Sequence, residues 1–263
     1  MGNMIVDDRR CPVCLKKMHK VMESDYGRCK SCNHIYQISD YGNEFYATHE
    51  YRTQSNYFSH SVDRTDYIVD FIGKYNIHKD IDLLDIGCGR GGVLYYLDKL
   101  YGVIGDGVNP YKEESYIDDS INVIGEYVTD LDDNKKYDII IMSHSLEHIP
   151  NLYETLKKIK SILKDNGICY IEVPHFIYTL QKLDYVFTPE HIHYFHKYSL
   201  IRLLEQSKFE IVKYEENTQW SNIKTIITKG NKKYKNKKEN YYLMYCKNFI
   251  KYYYIETLRL FKK

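Results

Sequence analysis

Residues 82–92 combine an acidic side chain with closely spaced glycines, a pairing that suits the binding of a small ligand. An apolar run ends at Asp85, and Gly87, Gly89 and Gly91 follow at alternate positions before a helical pattern begins. A buried strand that turns through glycines leaves bare backbone against which a ligand can lie. Open α/β sheets bind nucleosides at such strand ends. The stretch therefore predicts a nucleoside site.

The position of Asp85 indicates which nucleoside this loop would bind. Gly87, Gly89 and Gly92 also satisfy the G-x-G-x-x-G pattern of dinucleotide sites, which taken alone is a weak match. A pyrophosphate is an anion that needs free N–H groups, and a carboxylate at the strand end does not suit it. A carboxylate suits instead a ligand that carries an ammonium group and a sulfonium. That ligand is S-adenosylmethionine.

The same stretch resembles motif I of the class I S-adenosylmethionine-dependent methyltransferases, D-x-G-x-G-x-G. The resemblance implies a methyltransferase with an α/β fold, in which helices flank a Rossmann-like, doubly wound sheet of seven strands. The residues that match the motif are Asp85, Gly87, Gly89 and Gly91. The cofactor contacts that we predict from this loop are Asp85, Gly87, Cys88 and Gly89.

Three later segments resemble further cofactor contacts of this family. One is similar to the family's G-V-[DE]-P and places Asn109 at the ribose hydroxyls, with Asp106 as the competing candidate. The next resembles G-D-A, so Glu126 would accept from the adenine amino group and the backbone of Tyr127 would meet the ring. A merely solvated surface acid is the alternative for Glu126. Ser143 opens the segment that would lie over the methionine end of the cofactor.

Strand and helix patterns alternate around these residues, as a doubly wound sheet requires. After the glycine loop, the predicted strands cover residues 102–109, 121–124, 137–143 and 168–173, and a closing antiparallel pair covers 210–214 and 222–228. The predicted helices cover residues 62–75, 111–119, 151–163 and 199–207. We expect Asn166 and Gly167 to stop the third of these helices.

Two C-x-x-C pairs lie near the start of the chain, fourteen residues apart. This spacing is typical of a tetrahedral zinc site in which each pair supplies two thiolates from one tight turn. Four thiolates leave no open coordination position, so the metal would be structural rather than catalytic. Reduced surface thiols or a redox pair are the alternative. The predicted zinc ligands are Cys11, Cys14, Cys29 and Cys32.

Residues 189–200 contain three histidines among aromatic side chains, at a place where an acceptor would lie. Together with the cysteine pairs, this segment resembles methyltransferases of sugar and polysaccharide pathways, including the Y-x-E-H motif of sugar-nucleotide C-methyltransferases. The resemblance implies that His191 is the catalytic base and that Glu190 orients it, while Thr188 stands where the motif has tyrosine. Methylation at carbon, oxygen or nitrogen stays open, and so does a half-buried strand with satisfied imidazoles. His148, in a segment that resembles the family's E-H-[IV]-P, is the next candidate base, and His193 is the third.

The composition favours a cytoplasmic globular protein that acts on a small molecule. Hydrophobic residues make up 43% of the 263 residues, with no stretch of the length that a membrane span needs. Seven cysteines, without a signal-like apolar segment at residues 1–10, lead us to expect a reducing compartment. Lys and Arg number 37 against 36 Asp and Glu, but 11 of these basic residues and only 2 of the acidic ones lie from Lys229 onward. The remaining, acidic part of the chain does not suit a polyanion such as RNA.

We expect four regions along the chain. They are a four-cysteine zinc-binding module at 1–40, a linker on the substrate side at 41–61, a methyltransferase domain at 62–228 and a basic, helical Tyr/Lys-rich tail at 229–263. The tail could be a solvated helix or a homodimer contact.

We expect a sugar acceptor, as a nucleotide sugar or a glycan. The alternatives are an RNA methyltransferase that docks through the zinc module and the tail, and a non-catalytic binding protein. The acidic body argues against the first alternative, and the intact glycines argue against the second.

Overall fold

The part of the chain that the structure describes contains two β-sheets and four α-helices. The structure is a computed structural model that describes residues 10–16, 18–20, 26–37, 54–73, 77–110, 118–176, 191–217 and 222–234. The strands are β1 (Met18–Lys20), β2 (Tyr26–Cys29), β3 (Ile35–Gln37), β4 (Leu83–Ile86), β5 (Asp106–Val108), β6 (Asn122–Gly125), β7 (Tyr137–Ser143), β8 (Leu163–Pro174), β9 (His193–Tyr194), β10 (Phe209–Asn217) and β11 (Asn222–Lys229). The helices are α1 (Gln54–Ile72), α2 (Gly92–Tyr101), α3 (Leu152–Ile162) and α4 (Lys197–Gln206). Among these helices, none is long and apolar enough to cross a membrane.

The larger sheet has seven strands in the order β10–β11–β8–β7–β4–β5–β6. Its five strands from β6 to β8 in this order pair in parallel, whereas β11 is antiparallel to both β8 and β10. This arrangement confirms the predicted doubly wound sheet and the closing antiparallel pair. The chain adds β5 on one side of β4 and β7 on the other, so a crevice opens at the carboxyl ends of β4 and β7. Ligands bind at such a crevice in open α/β sheets.

The central strands are buried because they are apolar on both faces, as parallel strands covered by helices must be. All four residues of β4 are buried, including the carboxylate of Asp85. In β7 every residue except Asp138 is buried. Helices cover the sheet with side chains such as Leu97 of α2 and Leu156 of α3, both fully buried. This packing holds the carboxyl ends of β4 and β7 in place.

Helix α1 differs from its predicted bounds, and helix α3 ends without its predicted stop signal. Helix α1 begins at Gln54, within the segment that we predicted as a linker. Helix α3 covers Leu152–Ile162, within one residue of each predicted bound. The residues that we expected to stop it, 166–167, lie within β8, which begins at Leu163 and pairs there with Tyr137 of β7. Strand pairing with β7 therefore ends the helix before the predicted stop signal. The predicted helix at 111–119 falls largely outside the described residues, and residues 235–263 of the tail lie entirely outside them.

The smaller sheet joins the N-terminal segment to the rest of the molecule. Its order is β1–β2–β3–β9, so three strands come from residues 18–37 and the fourth comes from residues far along the chain. Ile35 pairs with Tyr194 and Tyr36 pairs with His193, both in antiparallel register. The N-terminal segment therefore completes its sheet with a strand that follows the parallel strands of the larger sheet.

Candidate active site and metal centre

The glycine loop after β4 lies at the crevice between β4 and β7. Gly87, Gly89 and Gly91 all have positive φ, with values of 80°, 52° and 80°. A Cβ atom on Gly87 would lie 2.6 Å from the Cβ of Ser145, in the loop that follows β7. The N–H groups of Gly87 and Cys88 both donate to the carbonyl of Val108, at 2.8 and 3.1 Å. The glycine loop is thereby held against both neighbouring strand ends.

The carboxylate of Asp85 is 3% exposed and stands directly before this loop. Burial raises the pKa of Asp85 to about 7, against the opposing effect of the Arg64 guanidinium. Removal from water disfavours the charged carboxylate, and a cationic ligand group beside it would restore that form. Asp85 is therefore suited to a ligand that brings positive charge.

Asn109, rather than Asp106, is brought to the glycine loop. Asp106 stands at the start of β5, where it accepts from the ammonium of Lys135, from Tyr137 Oη at 2.9 Å and from Asn122 Nδ2 at 2.7 Å. Asn109 follows the carboxyl end of β5, is 7% exposed, and donates through Nδ2 to the Gly89 carbonyl at 3.4 Å. This geometry supports the choice of Asn109 that our sequence analysis made for the ribose contact.

The residues predicted for the adenine follow β6 at the same edge of the sheet. Glu126 is exposed, and Tyr127 is 55% exposed. Their strand is tied to the ribose candidate, because the N–H of Asn109 donates to the Gly125 carbonyl at 3.2 Å. The two residues can thus reach a nucleoside at the crevice, and their contacts with adenine stay a prediction.

The end of β7 carries a buried, charged network. Ser143, which we predicted as a cofactor contact, donates through Oγ to Glu172 Oε2 at 2.8 Å. Asn222 donates to Glu172 Oε1 at 2.8 Å, and His144 Nε2 lies 3.7 Å from the same oxygen. His144 Nδ1 lies 3.5 Å from Glu147 Oε1, so the imidazole stands between two buried carboxylates. Ser143 therefore has an internal partner in this structure.

The pKa values within this network favour an ion pair at neutral pH. Burial lowers the pKa of His144, but the Glu147 and Glu172 carboxylates outweigh burial and raise it to about 9. Burial raises the pKa of Glu147, but His144, His148 and His191 outweigh it and lower the value to about 2. Burial also raises the pKa of Glu172, but His144 and the hydroxyl of Ser143 outweigh it and lower the value to about 2. Both carboxylates are therefore charged near neutral pH.

Two predicted catalytic histidines meet at Glu147. His148 Nε2 lies 3.7 Å from Glu147 Oε1, and the rings of His148 and His191 stand edge to face with centroids 4.9 Å apart. One ligating atom from each of Glu147, His148 and His191 lies within 4.8 Å of the others, so the trio could also hold a metal ion. Both histidines are partly exposed, whereas Glu147 is 1% exposed. The third predicted residue, Glu190, lies outside the described residues.

Three residues of this site were absent from the predicted set: His144, Glu147 and Glu172. Glu172 carried a signal, because it is a single carboxylate in the apolar strand predicted at 168–173. His144 has a φ of 54°, a left-handed conformation that is uncommon outside glycine. No sequence pattern indicated this conformation. Only the pairing of β7 with β8, which puts Ser143 opposite Glu172, shows that these charges meet.

The four predicted zinc ligands converge in the N-terminal segment. The Sγ atoms of Cys11 and Cys32 are 3.5 Å apart, and those of Cys14 and Cys29 are 3.4 Å apart. All four sulfur atoms lie within 4.8 Å of one another, and all four residues are buried. Zn–S bonds of about 2.3 Å in a tetrahedron would place the sulfurs about 3.8 Å apart. The donor set and its spacing therefore fit one tetrahedral ion.

Comparison with known proteins gives a family for residues 57–214, which match the model of a methyltransferase domain. One relative is the ubiquinone biosynthesis O-methyltransferase of Rickettsia bellii (strain OSU 85-389), 25% identical over 170 residues, or 56% of this chain and 70% of that protein. Another is the (S)-tetrahydroprotoberberine N-methyltransferase of Eschscholzia californica, 30% identical over 34% of this chain and 29% of that protein. Neither of these two names refers to a sugar acceptor.

Solved structures share the fold at low sequence identity. An S-adenosylmethionine-dependent methyltransferase from Clostridium acetobutylicum ATCC 824 has a TM-score of 0.50 and 15% identity, and the match covers 72% of this chain and 96% of that one. The PH0226 protein from Pyrococcus horikoshii OT3 has a TM-score of 0.54 and 18% identity, over 71% of this chain and 98% of that one. The family match spans more than half of the chain and contains the glycine loop, Asp85 and Glu147. The chain belongs to the methyltransferase domain family and is an S-adenosylmethionine-dependent methyltransferase.

Proposed function

We propose that this enzyme transfers a methyl group from S-adenosylmethionine to a small-molecule acceptor, with a sugar, as a nucleotide sugar or a glycan, as the acceptor class. The observation that carries the small-molecule proposal is the contact between the glycine loop and the loop after β7. Gly87 approaches Ser145 closely, and the same loop presents Glu147 and His148 beside His191. This proximity supports a single crevice for the cofactor and the acid–base groups. The sugar rests on the resemblance of residues 189–200 and the cysteine pairs to methyltransferases of sugar pathways.

The cofactor would lie across the carboxyl ends of β4, β5 and β6. Asp85 would accept from a charged or polar end of S-adenosylmethionine, Asn109 would pair with the ribose hydroxyls, and Glu126 with the adenine amino group. The backbone of Gly87, Cys88 and Gly89 would lie against the ligand, where side chains would obstruct it. Bound there, S-adenosylmethionine supplies an activated methyl group, and the protein's own task is alignment and proton removal.

His191 would accept the proton that the attacking atom of the acceptor loses during methyl transfer. Glu147 stays charged at neutral pH, because its pKa is lowered to about 2 against the effect of burial. A buried carboxylate beside His148 and His191 stabilises an imidazolium when one forms. His148 is the alternative base, since its ring contacts that of His191.

The acceptor class is tested by a substrate panel. The enzyme is incubated with methyl-labelled S-adenosylmethionine and either nucleotide sugars, free glycans or phenols. The phenols are included because of the relative named as a ubiquinone biosynthesis O-methyltransferase. We expect label in a nucleotide sugar or a glycan. Transfer to phenols alone would replace the sugar proposal with a phenolic one, and the cofactor site would stand.

Asp85→Asn is expected to weaken S-adenosylmethionine binding about tenfold or more, because a charged acceptor is lost at the ligand. The pKa of Asp85 is raised to about 7, and the carboxylate is the form that would bind a cation. Affinity of the native protein should therefore fall as the pH drops below 7, by up to about tenfold per pH unit. Calorimetry between about pH 5.5 and 8.5 measures both effects. Asp98→Asn, on the exposed side of α2, serves as the control, and a pH slope that survives Asp85→Asn would remove Asp85 from the site.

We propose that Cys11, Cys14, Cys29 and Cys32 hold one structural zinc ion per chain. Protein purified without chelator should contain one zinc, and Cys14→Ser should lose it, because a hydroxyl is a poor ligand for this closed thiolate site. Cys169→Ala is the matched control, since Cys169 is also buried but lies in β8. Elemental analysis gives the metal content. Zinc-free native protein, or zinc retained in full by Cys14→Ser, would contradict the assignment.

His191→Ala is expected to lower kcat about 100-fold, because general bases typically contribute that much or more. Cofactor affinity should change little, and the pH–rate profile should lose the limb that reports the base. His78→Ala, at an exposed histidine before β4, is the matched control. A near-normal kcat with an unchanged profile would make His148 the better candidate. A chelator provides a further test. If it abolishes turnover while the zinc of the four cysteines stays bound, the result would favour a metal at Glu147, His148 and His191.

A further inference from the structure

Strand β9 connects the four-cysteine segment, residues 10–37, to the loop that carries Glu147. On one side it pairs with β3, and the N–H of Gln37 donates to the Ile192 carbonyl at 2.9 Å. On the other side the N–H of Ile192 donates to the carbonyl of Glu147 at 3.0 Å. The segment with the candidate base His191 is therefore hydrogen-bonded both to the four-cysteine segment and to the loop after β7.

The imidazole of His193 forms a second, parallel connection. Its Nε2 lies 2.8 Å from the carbonyl oxygen of Ile149, and its Nδ1 lies 3.1 Å from Nε2 of His34. A carbonyl oxygen only accepts, so His193 Nε2 carries the hydrogen. In the neutral ring Nδ1 then accepts, and the hydrogen between the two rings belongs to His34. These two hydrogen bonds link the segment that contains Cys32 to the loop that contains His148.

Burial makes this connection costly to break. His34 is 0% exposed and His193 is 1% exposed. Their rings lie beside those of Tyr36 and Phe195, with centroid separations from 5.1 to 5.7 Å. A buried N–H or carbonyl that loses its partner costs the full desolvation of that group. The His34–His193 pair therefore favours a single arrangement of β9 against the loop after β7.

We propose that His193 is a positioning residue, which sets His191 against Glu147 and His148 and makes the four-cysteine segment part of the scaffold of the active site. This proposal rests on the proposed function of His191. His193 contacts the Ile149 carbonyl and His34, and it acts on the reaction only through the placement of its neighbours. The four-cysteine segment then contributes to turnover without contributing a catalytic group.

The test compares three variants of the full-length, zinc-loaded protein. His193→Phe removes both hydrogen bonds and keeps an aromatic ring, whereas His193→Gln keeps a donor and an acceptor. His34→Phe removes only the end of the connection that lies in the four-cysteine segment. Tyr137→Phe is the matched control, because it also removes a buried hydrogen bond, from Tyr137 Oη to Asp106, at the start of β7 and outside the hydrogen bonds that link His34 to Ile149.

We expect His193→Phe and His34→Phe to lower kcat about tenfold or more, since small misplacements of reacting groups are costly. Cofactor affinity and zinc content should stay close to those of the native protein, and His193→Gln should recover most of the turnover. Amide exchange at Ile192 should be faster in both Phe variants. Native kcat in His193→Phe, or an equal loss in Tyr137→Phe, would overturn the proposal.

Two readouts are independent of turnover, so they test the connection even if His191 is not the base. Nitrogen NMR of the native protein should show His193 as the neutral tautomer with hydrogen on Nε2. Amide exchange at Ile192 should respond to His34→Phe, although the substitution lies in another segment of the chain. A doubly protonated His193, or unchanged exchange in both Phe variants, would refute the connection itself. If His193→Phe fails to fold, His34→Phe still tests the loss of the hydrogen bonds and His193→Gln still tests their replacement.

Discussion

The charge pairing of His144 with Glu147 and Glu172 is the interaction on which the active-site edge depends. The two carboxylates are 1% and 3% exposed, and a buried carboxylate without a cationic or hydrogen-bonding partner would be very costly. Their pKa values, lowered to about 2, stabilise the folded protein at neutral pH, and this contribution is lost as the pH falls from about 4.5 through 2. The pKa of His144, raised to about 9, adds stability that is complete below about 6.5 and disappears as the pH rises through 9. The network is therefore strongest in mildly acidic solution and still intact at neutral pH.

This pairing also joins the end of β7 to its two neighbouring strands on one side. Ser143 ends β7 and His144 follows it, Glu172 belongs to β8, and Asn222 opens β11, so one network ties three adjacent strands. The same loop presses Ser145 against Gly87, where no side chain fits. Because the contact is close, displacement of the glycine loop would move the loop that carries His148. The glycine loop and the loop that carries His148 are therefore in direct contact.

The smaller sheet extends this linkage to the N-terminal segment. Residues 1–40 were predicted as a zinc-binding module, and nothing in the spacing of the cysteines indicated a partner strand. In the structure, β9 pairs with β3 and carries His193, whose ring reaches the Ile149 carbonyl. Tyr153 of α3 adds a further contact, donating through its hydroxyl to the Val13 carbonyl at 2.5 Å. The four-cysteine segment thus packs directly on the elements that flank the candidate base.

Features that depend on local chemistry and spacing were predictable from the sequence alone. The spacing of apolar residues predicted the alternating strands and helices of the larger sheet. Asp85 and the glycines after it predicted the cofactor. The cysteine pairs predicted a set of metal ligands, and their sulfur atoms lie within 4.8 Å of one another. The strand bounds show that Asp106 lies at the start of β5 and Asn109 just beyond its carboxyl end, beside Gly89, and no sequence pattern gave those bounds. The tertiary structure alone brought Glu172 to His144, far apart in the sequence, through the register of β7 and β8. Long-range strand pairing of this kind leaves no periodic signal in the sequence, so charges that meet across strands are visible only once the sheet has formed.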